Sequence, residues 1–306
     1  MADLFETRVK NFPGDDLMSF NLAAVAEALD LIQKLSDENV GGEVVESRLG
    51  EYKSWDPDVF KVDKDAEDGY IKRLKERGQP VAMLSEEAER LEIGTESKEA
   101  EAFVVSDPFD GSYLFKRGIP DFWYSSLAFF NLDGTPRCCA VGDGVHKNIA
   151  FANADGAFIC KLKDDQLVDQ FKLNKQYREA AGRADVTDLS IASIESYAMK
   201  PKKFLCPIVD NFRAVMEPFK FFLPNGGPYG FVDVAEGKID CYFAPRQPFV
   251  DIFSGIYVAE QAETVVTDFD GNPVKFEDNV HGLYDVVACT NQNLHDQVLG
   301  LIAKCK

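Results

Sequence analysis

The sequence predicts an α/β fold (α+β in some schemes) of layered sheets and helices, with one half over residues 1–184 and a second over residues 185–306. Two observations predict it. Segments of helical period and segments of strand period alternate along all 306 residues, the pattern of stacked sheets and helices. No internal repeat or low-complexity linker interrupts them, and 45% apolar with 28% charged residues is an ordinary globular composition. A chain of this length buries about 75% of its unfolded surface, as one large domain or two intimate lobes.

The elements follow in order. Residues 18–35 carry Leu22, Val25, Ala26, Leu29 and Ile32 at three- and four-residue spacing, an amphipathic helix with Ser19 as a cap. Residues 39–55 are polar and contain glycine, so a loop is predicted. A short strand over 59–62 delivers Asp63, and a helix over 65–77 stops at Gly78. Val81 to Leu84 is a buried strand, and the charged stretch 90–100 reads as a surface connection. Ala102 to Ser106 is another buried strand, expected to stop at Asp107-Pro108 because proline has no N–H for a ladder. Residues 124–131, 137–142, 148–152 and 157–161 form an antiparallel meander around Asp133-Gly134 and Asp155-Gly156. Helices are predicted over 207–216, over 231–235, from Asp251, and over 294–303 with Asn293 as cap; strands are predicted from 189, over 239–243 and over 264–267.

Composition narrows the chemistry. A net charge of −19 disfavours nucleic acid and anionic membranes as partners. No apolar run approaches the roughly 18 residues of a membrane span, and Met1-Ala-Asp-Leu-Phe-Glu lacks the regions of a signal peptide. Seven cysteines without C-x-x-C spacing suit reduced thiols in a cytoplasm. Three histidines, none at zinc-like spacing, leave carboxylates as the working groups. Acidic residues stand at element ends: Asp63, Glu86, Asp107 with Asp110, and Asp251. Singly these read as caps or solvated faces. Together they offer oxygen ligands for two or three Mg²⁺ ions, which would clamp a phosphate and activate a water. Gly111 and Ser112 follow, where free N–H groups can hold a phosphate.

The motifs resemble those of the inositol monophosphatase family of lithium-sensitive phosphatases, which includes fructose-1,6-bisphosphatases. Asp107-Pro-Phe-Asp-Gly-Ser112 matches its D-P-[hydrophobic]-D-G-[ST] string, and Ser85-Glu86-Glu87, 21 residues before Asp107, matches its G-E-E element. Asp63 with Glu67 and Ile71 matches the D-x-x-x-E-x-x-I element, and Val250-Asp251-Ile-Phe-Ser-Gly255 stands where the family has W-D-x-A-A-G. The resemblance covers roughly residues 18–303 and implies an α-β-α-β-α layered fold, a homodimer and a small-molecule phosphate ester as substrate. It implies that Glu86, Asp107 and the Phe109 carbonyl hold one Mg²⁺, and that Asp107, Asp110 and Asp251 hold another. A third ion would lie near Glu86 with Asp63 acting through water. The Gly111 and Ser112 amides would bind phosphate, and the Ser112 hydroxyl with Glu86 would deprotonate the water.

Departures leave the alcohol open. Inositol-specific members carry a glutamate seven residues before the last aspartate, where this chain has Ala244. Lys116, Arg117 and Arg246 are candidates for a second phosphate, as in a sugar bisphosphate, or are surface charges. A 3′-phosphoadenosine 5′-phosphate substrate and a non-catalytic relative are further alternatives. So is a dehalogenase-like phosphatase using Asp268 of Asp268-Phe-Asp-Gly271, although only 35 residues follow Gly271.

Overall fold

The computed structural model describes residues 16–48, 56–94, 99–163, 166–183 and 185–305. The start of the chain, the 49–55 part of the expected loop and the 184 boundary lie outside them. Helix α1 (Asp16–Asp37) leads to strand β1 (Val44–Ser47), which pairs antiparallel with β2 (Asp58–Phe60). Part of the expected loop is therefore a strand. Helix α2 (Lys61–Arg77) begins four residues earlier than its apolar period predicts, so Asp63 lies in its first turn. Strands β3 (Val81–Ser85), β4 (Glu89–Ile93) and β5 (Ala102–Asp110) follow, then the short helix α3 (Ser112–Lys116). The meander comprises β6 (Tyr124–Phe130), β7 (Pro136–Asp143), β8 (Asn148–Asn153), β9 (Gly156–Lys163) and β10 (Gln166–Leu173), closed by α4 (Lys175–Ala180).

The second half runs β11 (Ser193–Glu195), a π-helical turn (Pro201–Leu205), α5 (Cys206–Met216), β12 (Phe221–Leu223), α6 (Pro228–Glu236) and β13 (Cys241–Pro248). It ends with α7 (Phe249–Phe253), α8 (Ile256–Gln261), β14 (Val265–Asp268), β15 (Leu283–Cys289) and α9 (Gln292–Ile302). The α9 cap is Asn291, whose side chain accepts from the Leu294 amide at 3.0 Å, not the expected Asn293.

Among the described residues an eight-stranded sheet has the order β10-β9-β8-β7-β6-β5-β3-β4, and a five-stranded sheet has the order β12-β11-β13-β15-β14. Alternation along the strands assigns each side chain to a layer. Val104 of β5 packs with Leu22, Leu29 and Tyr70 of α1 and α2, whereas Val105 packs with Phe231, Ile252 and Val258 of α6–α8. Val286 and Ala288 of β15 join that middle layer from the other side, and Val287 and Cys289 face Val215 and Leu294 of α5 and α9. The order of layers is thus helices, large sheet, helices, small sheet, helices, the α-β-α-β-α arrangement expected. No described helix is long and apolar enough to cross a membrane, and no disulfide links the seven cysteines.

One departure shapes the site. Strand β5 does not stop at Asp107 but continues through Pro108 to Asp110, with its register against β6 shifting between Asp107 and Asp110. A bulge is where a strand tolerates a proline, since the missing donor falls at an interrupted rung.

Candidate active site

A cleft of about 1070 Å³ opens where the carboxyl end of β5, the β3–β4 turn, the start of α7 and the 197–204 segment converge. Its walls include Glu86, Asp107, Phe109, Asp110, Gly111, Ser112 and Asp251. Site candidates from three separate stretches of sequence are therefore brought together.

Each is held by a local device. The β3–β4 turn carries Glu86 and Glu87, and Glu67 of α2 fixes it. The Glu67 Oε1 atom accepts from Ser85 Oγ at 2.6 Å and from the Ala88 amide at 2.8 Å. The β5 bulge is fixed through Pro108, whose carbonyl accepts from Ser125 Oγ at 2.6 Å; Tyr70 Oη of α2 lies 2.7 Å from the same hydroxyl. Gly111 has φ of 103°, and a side-chain carbon there would fall 2.0 Å from the Phe122 carbonyl oxygen. Only glycine fits. Ser112 then opens α3, whose first amides have no intrahelical acceptors. Asp251 lies in the first turn of α7. Gly227, just before α6, has a backbone so near Asp110 that a side-chain carbon would fall 2.1 Å from its Oδ2.

The electrostatics are those of crowded acids. Asp107 has no exposed surface and neither of its carboxylate oxygens has a hydrogen-bond partner. Burial pushes its pKa well up, and Glu86, Asp110 and Asp251 push it further. Asp251 is raised likewise by burial, then by Asp110 and Glu86. Glu86 and Asp110 are both pushed up to about 7, burial being the largest cause in each. Arg48 opposes the rise at Glu86, and Lys200 opposes it at Asp110. Such clustered, destabilised carboxylates are the mark of a functional site.

The donor set suits a hard divalent cation, because a buried carboxylate without partners needs a positive charge to remain ionised. Among the described residues no group of three or more His, Cys, Asp or Glu is already gathered tightly enough to hold a metal ion. Glu86 is turned toward another cation: its Oε1 lies 3.2 Å from the Arg48 guanidinium.

Other candidates lie elsewhere. Asp63 is 1% exposed and does not line the cleft; its Oδ2 accepts from the Phe60 amide at 2.8 Å. Burial and then Glu87 raise its pKa. Lys116, Arg117 and Arg246 are absent from the cleft wall. The Lys116 ammonium stands 4.7 Å above the Phe60 ring, Arg117 is exposed at the end of α3, and Arg246 is exposed on a bulge of β13 with its amide donating to Asp285 at 2.8 Å. The cations that do line the cleft are Arg48, Lys200, Lys202 and Lys203. None of them belongs to a motif of the sequence; only folding brings them to one cleft. Asp268 also lies away from the cleft, its Oδ1 closing a turn by accepting from the Asp270 and Asn272 amides at 2.9 and 2.8 Å.

The inositol monophosphatase family profile matches residues 15–306. A fructose-1,6-bisphosphatase of Pyrococcus furiosus is 28% identical over 248 residues, 79% of this chain and 82% of that protein. A fructose-1,6-bisphosphatase/inositol-1-monophosphatase of Methanothermobacter thermautotrophicus is 26% identical over 249 residues, 78% of this chain and 81% of that protein. In fold, the crystal structure of the extragenic suppressor protein suhB from Bartonella henselae superposes with a TM-score of 0.72 at 20% identity, covering 94% of this chain and 98% of that one.

Proposed function

The chain belongs to the inositol monophosphatase family, and on that premise we propose that its cleft hydrolyses a phosphate monoester of a polyhydroxylated alcohol, with Mg²⁺ as cofactor. The observation that carries this reading is the convergence of Glu86, Asp107, Asp110 and Asp251 on one cleft, with both Asp107 oxygens buried and unpartnered. Glu86, Asp107 and the Phe109 carbonyl are the residues to hold one ion, and Asp107, Asp110 and Asp251 the residues to hold a second. Bound there, Mg²⁺ supplies Lewis acidity toward the phosphate and lowers the pKa of water. The protein does the rest. The Gly111 and Ser112 amides, at the start of α3, take phosphate oxygens, the Gly111 amide also lying against the Asp110 carboxylate. The Ser112 hydroxyl and Glu86 orient water for in-line attack, and Glu86 accepts its proton. Asp63, behind the wall, closes the first turn of α2 by accepting from the Phe60 amide rather than by contact with substrate.

A second observation bears on the alcohol. Lys200, Lys202 and Lys203 line the same cleft as the acids, and no acid stands at Ala244, which is fully buried in β13. This favours a substrate with a second anionic group, of the kind named for the Pyrococcus furiosus relative, over inositol monophosphate. The test is Mg²⁺-dependent phosphate release from inositol 1-phosphate, fructose 1,6-bisphosphate, glycerol 2-phosphate and 3′-phosphoadenosine 5′-phosphate, with and without lithium. Lithium-inhibited release that is fastest from the bisphosphate, and is lost selectively in Lys202→Ala/Lys203→Ala, is expected. Equal rates on mono- and bisphosphate in both proteins would remove the second-anion reading.

A further inference from the structure

Arg48 follows directly on β1 and is 6% exposed. Its backbone amide donates to the Pro57 carbonyl at 2.9 Å, so the guanidinium is anchored by main chain rather than carried on a free arm. Around it stand Asp56 at 2.7 Å, Glu86 at 3.2 Å and Glu87, to which Nε donates at 3.1 Å and Nη2 donates as well. Asp56 also pairs with Lys200 at the edge of the π-helical turn, which lines the same cleft. Burial alone would lower the guanidinium pKa, but Glu86, Glu87 and Asp56 outweigh it and raise it, so the group is permanently charged. A buried guanidinium among three carboxylates meets the need that a divalent ion would otherwise meet, since unpaired buried carboxylates are costly.

From this geometry we infer that Arg48 is a resident counter-ion that competes with a divalent cation for Glu86. Glu86 stands 3.2 Å from the guanidinium, and joining Asp107 around an ion would draw it away from that partner. This inference rests on the metal-site reading of the cleft and adds a residue that the reading does not contain. Two positive charges cannot share one carboxylate arm without repulsion, so each weakens the other's hold on Glu86, and the weakening is reciprocal.

The test is Mn²⁺ binding by the full chain at a fixed pH above 7, following free Mn²⁺ by electron paramagnetic resonance. Wild type, Arg48→Met, Arg48→Lys and Asp107→Asn are compared. Arg48→Met is expected to bind the ion held by Glu86 about tenfold more tightly than wild type, within the usual range of coupling between two sites, with Arg48→Lys between them. Melting without metal is expected to be lower for Arg48→Met and to rise more on adding Mn²⁺. In wild type, Mn²⁺ is expected to speed modification of Arg48 by phenylglyoxal, mapped by peptide mass, and this measurement decides if Arg48→Met does not fold. Equal affinity in wild type and Arg48→Met, or weaker binding in the variant, overturns the competition while leaving the metal site in place; so does unchanged modification of Arg48. No binding by either protein, or binding undiminished in Asp107→Asn, overturns the metal-site reading and the competition with it.

Discussion

Replacing Glu67 by alanine and by glutamine separates its two contributions to the β3–β4 turn. Both of its hydrogen bonds, from Ser85 Oγ and from the Ala88 amide, end on Oε1, while Oε2 has no hydrogen-bond partner and lies 3.6 Å from Lys64 Nζ. The side chain is fully buried. Alanine removes the acceptor from two donors, one in a buried side chain, each costing about 1–3 kcal/mol when left unsatisfied. A loss of about 2–6 kcal/mol is expected, together with a fall in kcat because Glu86 sits next to the freed Ser85. Glutamine places its carbonyl oxygen where Oε1 stands and loses only the pairing with Lys64, worth under about 1 kcal/mol at a partly exposed position. Urea unfolding without metal gives the stability difference, and phosphate release gives kcat. Equal damage from both substitutions would show that the charge on Glu67, not its hydrogen-bond geometry, is what the turn requires.

Gly227→Ala drives a methyl group against Asp110 Oδ2 at a position with φ of 65°, so activity is expected to fall at least tenfold with the melting temperature less affected; full activity would show that Asp110 has room to move. The pH dependence has a definite sign. Glu86 and Asp110 have folded-state pKa values of about 7, above their unfolded values, so their contribution to folding is complete below the unfolded pKa and is lost as pH rises through about 7. The melting temperature without metal is expected to fall across that window, and Mg²⁺ to reverse the fall; a metal-free stability that rises with pH there would contradict the crowding of these acids.

Some of the site was legible because its groups are contiguous or close in sequence. Asp107, Asp110, Gly111 and Ser112 share one string, and Glu86 and Asp251 stand at the ends of apolar runs. Arg48, Asp56 and Lys200–Lys203 were not legible, since only folding brings β1, the π-helical turn and β5 to one cleft, and each looks like ordinary surface charge in its own stretch. Lys116 and Arg117 sit close to Ser112 in sequence, yet α3 carries them onto Phe60 and into solvent. Strand β4 was read as a connection because Glu89, Arg90 and Glu92 hide the alternation of a half-exposed edge strand. The extension of β5 through Pro108 is hidden in the sequence for a different reason: a bulge accommodates the proline that otherwise signals a strand end.

The most direct test compares Mg²⁺-dependent phosphate release by wild type, Asp107→Asn and Asp268→Asn on whichever ester the wild type turns over fastest. Asp107→Asn removes the central unpartnered carboxylate, and Asp268→Asn removes only the charge in a turn outside the cleft. Loss of at least a hundredfold in Asp107→Asn with near wild-type rates in Asp268→Asn is the expected result. An active Asp107→Asn, or a dead Asp268→Asn that stays folded, would contradict catalysis in this cleft.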